Sequence, residues 1–142
     1  MKIIPFSIVI LMLLNLSGCA KPNYDEARDP ASQNEYVLNK MEMNVRVLWD
    51  HRPTNTTDPA TMVLEFFDPK DKSSFMDPAD LRVKLWMPDM GHGSSPVTIT
   101  RLSRGMYRMT NMYFTMAGLW EIRVGVQDEN GVVADFTVQE RL

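Results

Sequence analysis

The chain has 142 residues with a formal net charge of −3, one cysteine, two histidines and 12 methionines. One domain is the natural count at this length. The lone cysteine excludes a disulfide framework and any Cys-x-x-Cys redox or zinc motif. The acidic balance leaves no basic footprint for nucleic acid.

Met1 and Lys2 open the chain, and Ile3 to Leu16 is an almost unbroken apolar run. As a helix it would span about 21 Å at 1.5 Å per residue, short of a bilayer's hydrocarbon core of roughly 30 Å. The shape is that of a signal peptide's apolar region. Leu16-Ser17-Gly18-Cys19 follows. It resembles the bacterial lipobox, in which the cysteine is lipidated and becomes the new N-terminus. Residues 1–18 are therefore expected to be a lipoprotein signal peptide, with Cys19 carrying the acyl chains that anchor the protein to a membrane. By the same resemblance, Ala20 in place of an aspartate favours the outer membrane of the envelope, facing the periplasm.

Residues 19–40 are polar, contain Pro22 and Pro30, and show no period. They predict a flexible tether with a reach of roughly 25 Å. A folded domain is expected over 41–142. There the pattern turns to period two. Met43, Val45, Val47 and Trp49 alternate with Asn44, Arg46 and Leu48. Similar runs follow over 62–67, 81–87, 97–100, 120–126 and 132–138. These are half-buried strands, and the stretches between them are rich in turn residues. Asn130-Gly131 signals a hairpin. The sum is an all-β chain, an antiparallel β-sandwich of six or seven strands.

One segment resists a simple period. Met106, Met109, Met112 and Met116 are spaced three, three and four apart, which is helical spacing. Gly105, Thr110, Tyr113, Phe114 and Thr115 disfavour a helix. The expectation is extended chain, with one strand to about Met109 and another from Met112 to Met116.

Ten methionines follow Cys19, and six of them fall between 87 and 116, together with His92. The loop Met87-Pro88-Asp89-Met90-Gly91-His92-Gly93 sets two thioethers and an imidazole within six residues. Thioether sulfur is a soft, neutral donor suited to Cu(I), and imidazole suits copper generally. Outside the cytoplasm cysteine thiolates tend to be oxidised, so a copper-handling envelope protein gains by using methionine. The opposing reading is that the methionines only fill irregular gaps in a core, in a structural or protein-interaction domain of the envelope.

Residues 86–126 resemble the YtkA-like and FixH-like family of small envelope domains. The resemblance rests on Met87-Pro88-Asp89-Met90-Gly91-His92-Gly93, on Gly105-Met106-Tyr107, and on Phe114-Thr115-Met116-Ala117-Gly118-Leu119-Trp120. It implies an immunoglobulin-like β-sandwich of about seven strands and an envelope role around metal handling or oxidase assembly. With it, Met90 and His92 become the first candidate copper ligands, and Met87, Met112 and Met116 the next. His51 is expected to be a solvated loop residue, and Asp68, Asp71, Asp77 and Asp80 to be turn formers. No nucleophile elbow, phosphate loop or zinc helix motif is present, so neither an enzyme nor a small-molecule substrate is expected. An envelope protein is the expected partner beside the membrane.

Overall fold

The computed structural model describes residues 34–142. Cys19, the apolar leader and most of the expected tether lie outside the described residues. Nine strands are present: β1 (Glu35–Leu38), β2 (Met43–His51), β3 (Ala60–Phe67), β4 (Asp80–Met87), β5 (His92–Gly93), β6 (Thr98–Ser103), β7 (Met106–Met112), β8 (Leu119–Gln127) and β9 (Val133–Arg141). They form two antiparallel sheets, ordered β1-β2-β3-β7-β6 and β5-β4-β8-β9. The fold is the all-β sandwich that the alternating pattern predicts, with two strands more than expected.

Alternation places the core. In β8 the buried positions are Trp120, Ile122, Val124 and Val126, with Glu121, Arg123 and Gly125 between them on the outer face. Val45 and Val47 from β2 and Met62, Leu64 and Phe66 from β3 meet them from the other sheet, all essentially inaccessible to water. Each such side chain contributes about 1.5–3 kcal/mol through burial alone. The β8–β9 hairpin turns where Asn130-Gly131 predicts it. Asp128 Oδ1 accepts the backbone N–H groups of Asn130 and Val132, and Gly131 sits at φ 79°.

The extra strands are short. Among the described residues the first strand is β1, inside the stretch expected to be tether. β1 shows no clean alternation because it is held by contacts distant in sequence. Tyr36 stacks on Phe136 at 4.6 Å between ring centroids. Glu35 receives Arg46 at 3.0 Å and Lys72 at 3.0 Å. The second addition, β5, is only two residues long and pairs with the end of β4.

The methionine-rich segment also differs from expectation. β7 is one continuous strand over Met106–Met112, and no strand forms over 113–118. Met109 lies opposite Met62 while Met112 lies opposite Ala60, so three residues of β7 match two of β3. The extra residue is absorbed as a β-bulge, with Asn111 at φ 57°. In a regular strand, residues three apart face opposite sides. The bulge restores parity, so Met109 and Met112 are both fully buried. That is how a helical spacing arises in a strand.

Candidate functional site

The strand ends at residues 51, 87, 112 and 141 and the starts at 60 and 119 share one end of the sandwich. Arg52 reaches Glu140 there at 3.4 Å, and the rings of Phe114 and Trp120 meet there at 5.6 Å. The Met-Pro-Asp-Met-Gly-His-Gly loop is on this rim. It is a tight hairpin between β4 and β5. The N–H groups of Met90 and Gly91 both donate to the Met87 carbonyl, at 3.3 and 3.0 Å. Gly91 takes φ 67°, a left-handed turn conformation that glycine adopts without strain. Pro88 follows β4 directly, since it has no N–H to give the ladder.

The hairpin register decides where His92 stands. Met87 and His92 are directly opposed cross-strand partners, so their side chains share a face. Met87 is buried, and that face is the inner one. The His92 ring stands edge-on to Trp120, 6.4 Å between centroids at 76°, while remaining open to solvent. Its Nδ1 lies 3.0 Å from the Gly93 carbonyl oxygen. A carbonyl only accepts, so the imidazole proton is on Nδ1. In the neutral ring that leaves the Nε2 lone pair available.

Trp120 is the centre of this rim. It is fully buried, and its indole N–H donates to the Met116 carbonyl at 2.9 Å. Phe114 packs edge-on against it at 81°. Gly118 leaves room for Met87. A Cβ there would lie 2.6 Å from the Met87 methyl. Gly118 also exchanges both backbone hydrogen bonds with Leu142, at 3.0 and 3.1 Å. The sequence Phe114-x-Met116-x-Gly118-x-Trp120 thus wraps one indole, with its four named residues supplying a packing ring, a carbonyl, a gap and the indole itself.

Of the five sequence-predicted metal ligands, the structure sets His92 edge-on to Trp120, Met87 opposite His92 across the hairpin, and the Met116 carbonyl on the Trp120 indole N–H. Met90 is at the tip of the same hairpin, 58% exposed. Met116 is half-buried. Met112 is fully buried beside Ala60 at the end of β7. His51 shares this end of the sandwich and is exposed. A bulge at the end of β2 sets it opposite Thr61, where regular pairing would set it opposite Ala60, and so on the outer face of its sheet. Among the described residues, no three His, Cys, Asp or Glu side chains group as metal donors.

Sequence reasoning missed two residues. Trp120 was visible as a core position of β8 and as the last residue of the Phe114–Trp120 motif, and neither announced that it would seat a histidine. Asp77 was grouped with the turn formers, and that expectation is corrected. Asp68 and Asp71 do cap turns, at Lys70 N and Ser73 N. Asp77 instead accepts from Arg101, from Gly105 N–H and from the Tyr107 hydroxyl, all on the β6–β7 hairpin.

No curated protein matches the sequence. Among solved structures, the chain is similar to a DUF4785 family protein from Legionella pneumophila, with a TM-score of 0.53 and 15% identity. That match covers 73% of this chain but only 29% of the Legionella protein. It is also similar to a copper-bound variant of FetP from uropathogenic Escherichia coli, with a TM-score of 0.51 and 11% identity, covering 76% of this chain and 88% of that one. Both are likenesses of fold. Residues 51–125, which hold the hairpin, the bulged strand and the Trp120 rim, match the YtkA-like family, and the chain belongs to that family.

Proposed function

We propose that this protein is a non-catalytic, lipid-anchored envelope module that binds Cu(I) at the rim. Met90 and His92 are the first ligands. Met87, Met116 and Met112 are the next, at or behind the same rim. The observation that carries this reading is the placement of His92. Its Nδ1 lies 3.0 Å from the Gly93 carbonyl oxygen, a contact that favours the tautomer with Nε2 open to a metal, and a thioether lies two residues away on the same turn. Metal-bound histidines commonly donate their second ring N–H to a carbonyl in this way, which fixes tautomer and orientation. The donor set is soft and neutral, which fits Cu(I) better than Zn(II), calcium or magnesium. Bound copper would supply a soft cation for storage or transfer. The chain's own residues orient the imidazole, present the thioether, and back the site with a dry indole. Membership of the YtkA-like family and the fold likeness to a copper-bound FetP variant agree with this reading. Cys19 supplies the anchor, and the outer membrane's periplasmic face is the proposed location.

The deciding experiment is Cu(I) titration of the full chain against a colorimetric Cu(I) chelator. The His92→Ala, Met90→Ala double variant is expected to lose at least about tenfold in affinity. If wild type and double variant compete equally poorly, the copper reading fails.

A second reading has its own support. Met43, Met62, Met109 and Met112 are all buried in the core. On this reading their excess is packing, and a docking domain for another envelope protein needs no more than that. Retention of partner binding by the double variant would favour it.

A further inference from the structure

We propose that Met90 is a site of reversible sulfoxidation, the first of the methionines from Met41 onward to react with peroxide-class oxidants. Oxidation requires the oxidant's oxygen to reach the thioether sulfur. The sulfur lone pair attacks one peroxide oxygen, an S–O bond forms and the O–O bond breaks. The sulfur loses two electrons to become the sulfoxide, and the peroxide leaves as water. Access to sulfur therefore sets the order in which methionines react.

The fold sorts the methionines sharply. Met41, Met43, Met62, Met87, Met109 and Met112 are at most 8% exposed. Met76, Met106 and Met116 are half-buried. Met90 is 58% exposed, and it is the one methionine among the described residues that is mainly in solvent. The turn around it is uncrowded, since a Cβ added at the neighbouring Gly91 would meet nothing within 4 Å. A sulfoxide oxygen on Met90 displaces no core atom, so the fold tolerates it. Oxidation of Met62 or Met109 would instead bury a new polar group in the core. Among the described methionines, Met90 is thus both the reachable sulfur and the one whose modification leaves the sandwich intact. If the copper reading above holds, the same reaction also consumes the lone pair that Met90 offers to Cu(I), and reduction by a methionine sulfoxide reductase restores it.

The test uses the metal-free full chain treated with hydrogen peroxide, with sulfoxide at each methionine followed over time by peptide mass spectrometry. Among the methionines from Met41 onward, Met90 is expected to react first, about tenfold faster than Met62, Met109 and Met112. Met90→Leu is expected to remove the fast phase and leave the slow ones, with unchanged far-ultraviolet circular dichroism. Sulfoxide reductase is expected to reverse the fast phase. The proposal is overturned if Met76, Met106 or Met116 reacts as fast as Met90, or if Met90→Leu retains the fast phase. Early oxidation at Met90 in a chain that never binds Cu(I) would uphold this site and overturn the metal reading, so the two failures are distinct.

Discussion

The Tyr107 hydroxyl donates to Oδ1 of Asp77 at 2.8 Å, across 30 residues of chain. The same carboxylate accepts the Gly105 N–H at 2.8 Å and two guanidinium bonds from Arg101, at 3.1 and 2.7 Å. One side chain in the crossover between β3 and β4 therefore holds the hairpin between β6 and β7. The Arg101 guanidinium, with the Gly105 N–H and the Tyr107 hydroxyl, keeps the Asp77 carboxyl well below the ordinary aspartate range.

Asp77→Ala is expected to lower unfolding stability by about 1–2 kcal/mol, since it removes a charge-assisted cluster that is partly screened by solvent. The pH dependence has a definite sign. A carboxylate whose pKa is depressed by folding stabilises the native state above its unfolded value, near 3.9, and loses that contribution as pH falls towards the folded value. Wild type should therefore lose stability more steeply than Asp77→Asn below about pH 4, and the two denaturation midpoints should approach one another. Parallel midpoints from pH 7 to pH 2 would show that the carboxylate carries no such linkage.

Gly105 and Gly91 both sit at φ 67°, and they are expected to respond differently to alanine. At Gly105 a Cβ would lie 2.6 Å from the Phe66 carbonyl oxygen, 2.9 Å from Met76 N and 2.9 Å from the Phe75 Cβ. Two of those atoms are backbone and cannot step aside. At Gly91 nothing lies within 4 Å. Gly91→Ala should cost only the left-handed backbone term, about 1–2 kcal/mol. Gly105→Ala should add displacement of the crossover and cost about 3 kcal/mol or more. Chemical denaturation of the two variants measures the difference, and equal costs would mean that the close approach is relieved elsewhere.

Much of this was legible in the sequence, and the gaps have physical causes. β2, β4, β8 and β9 declared themselves because each has one face more buried than the other, which imposes period two, and β3 did so as a short apolar run, buried at Val63 and Phe67 as well as on its core face. The Asn130-Gly131 turn was readable because its conformation is local. β1 was not, since Glu35 depends on Lys72 and Arg46, partners whose proximity only the fold creates. The spacing of Met109 and Met112 misled for a related reason, because a bulge at Asn111 changes which residues share a face. For the site, the loop bearing Met90 and His92 was readable from its prolines and glycines, while the two-residue β5 that makes it a hairpin was not. The role of Trp120 was not, since β8 buries four residues by the same alternation and only one of them seats an imidazole.

Glu35 tests how firmly β1 is held. Its carboxyl lies below the ordinary glutamate range, through the Lys72 ammonium first and the Arg46 guanidinium second. All three side chains are partly exposed, so Glu35→Gln should cost less than about 1 kcal/mol in global stability. The local effect should be larger. Amide exchange in Tyr36–Leu38 is expected to speed up while the central strands β3 and β8 are unaffected. Unchanged exchange in β1 would assign its docking to the Tyr36–Phe136 stack alone.

Trp120 offers an optical test of where a metal sits. Its ring lies 6.4 Å from that of His92. Trp86 is half-buried on the outer face of its sheet, within 5.3 Å of the Lys84 ammonium and 5.0 Å of the Arg123 guanidinium. Copper held by His92 should quench emission from Trp120 far more than from Trp86. Trp120→Phe is expected to abolish most of the copper-dependent quenching, and Trp86→Phe to preserve it. The first variant also strips the Met116 carbonyl of its donor, so its stability should fall by about 1–3 kcal/mol without loss of the fold. Affinity measured by chelator competition separates the two effects, because Trp120→Phe removes the reporter but leaves Met90 and His92 in place. Quenching that survives Trp120→Phe and disappears in Trp86→Phe would move the metal off the rim and onto the outer face of the four-stranded sheet.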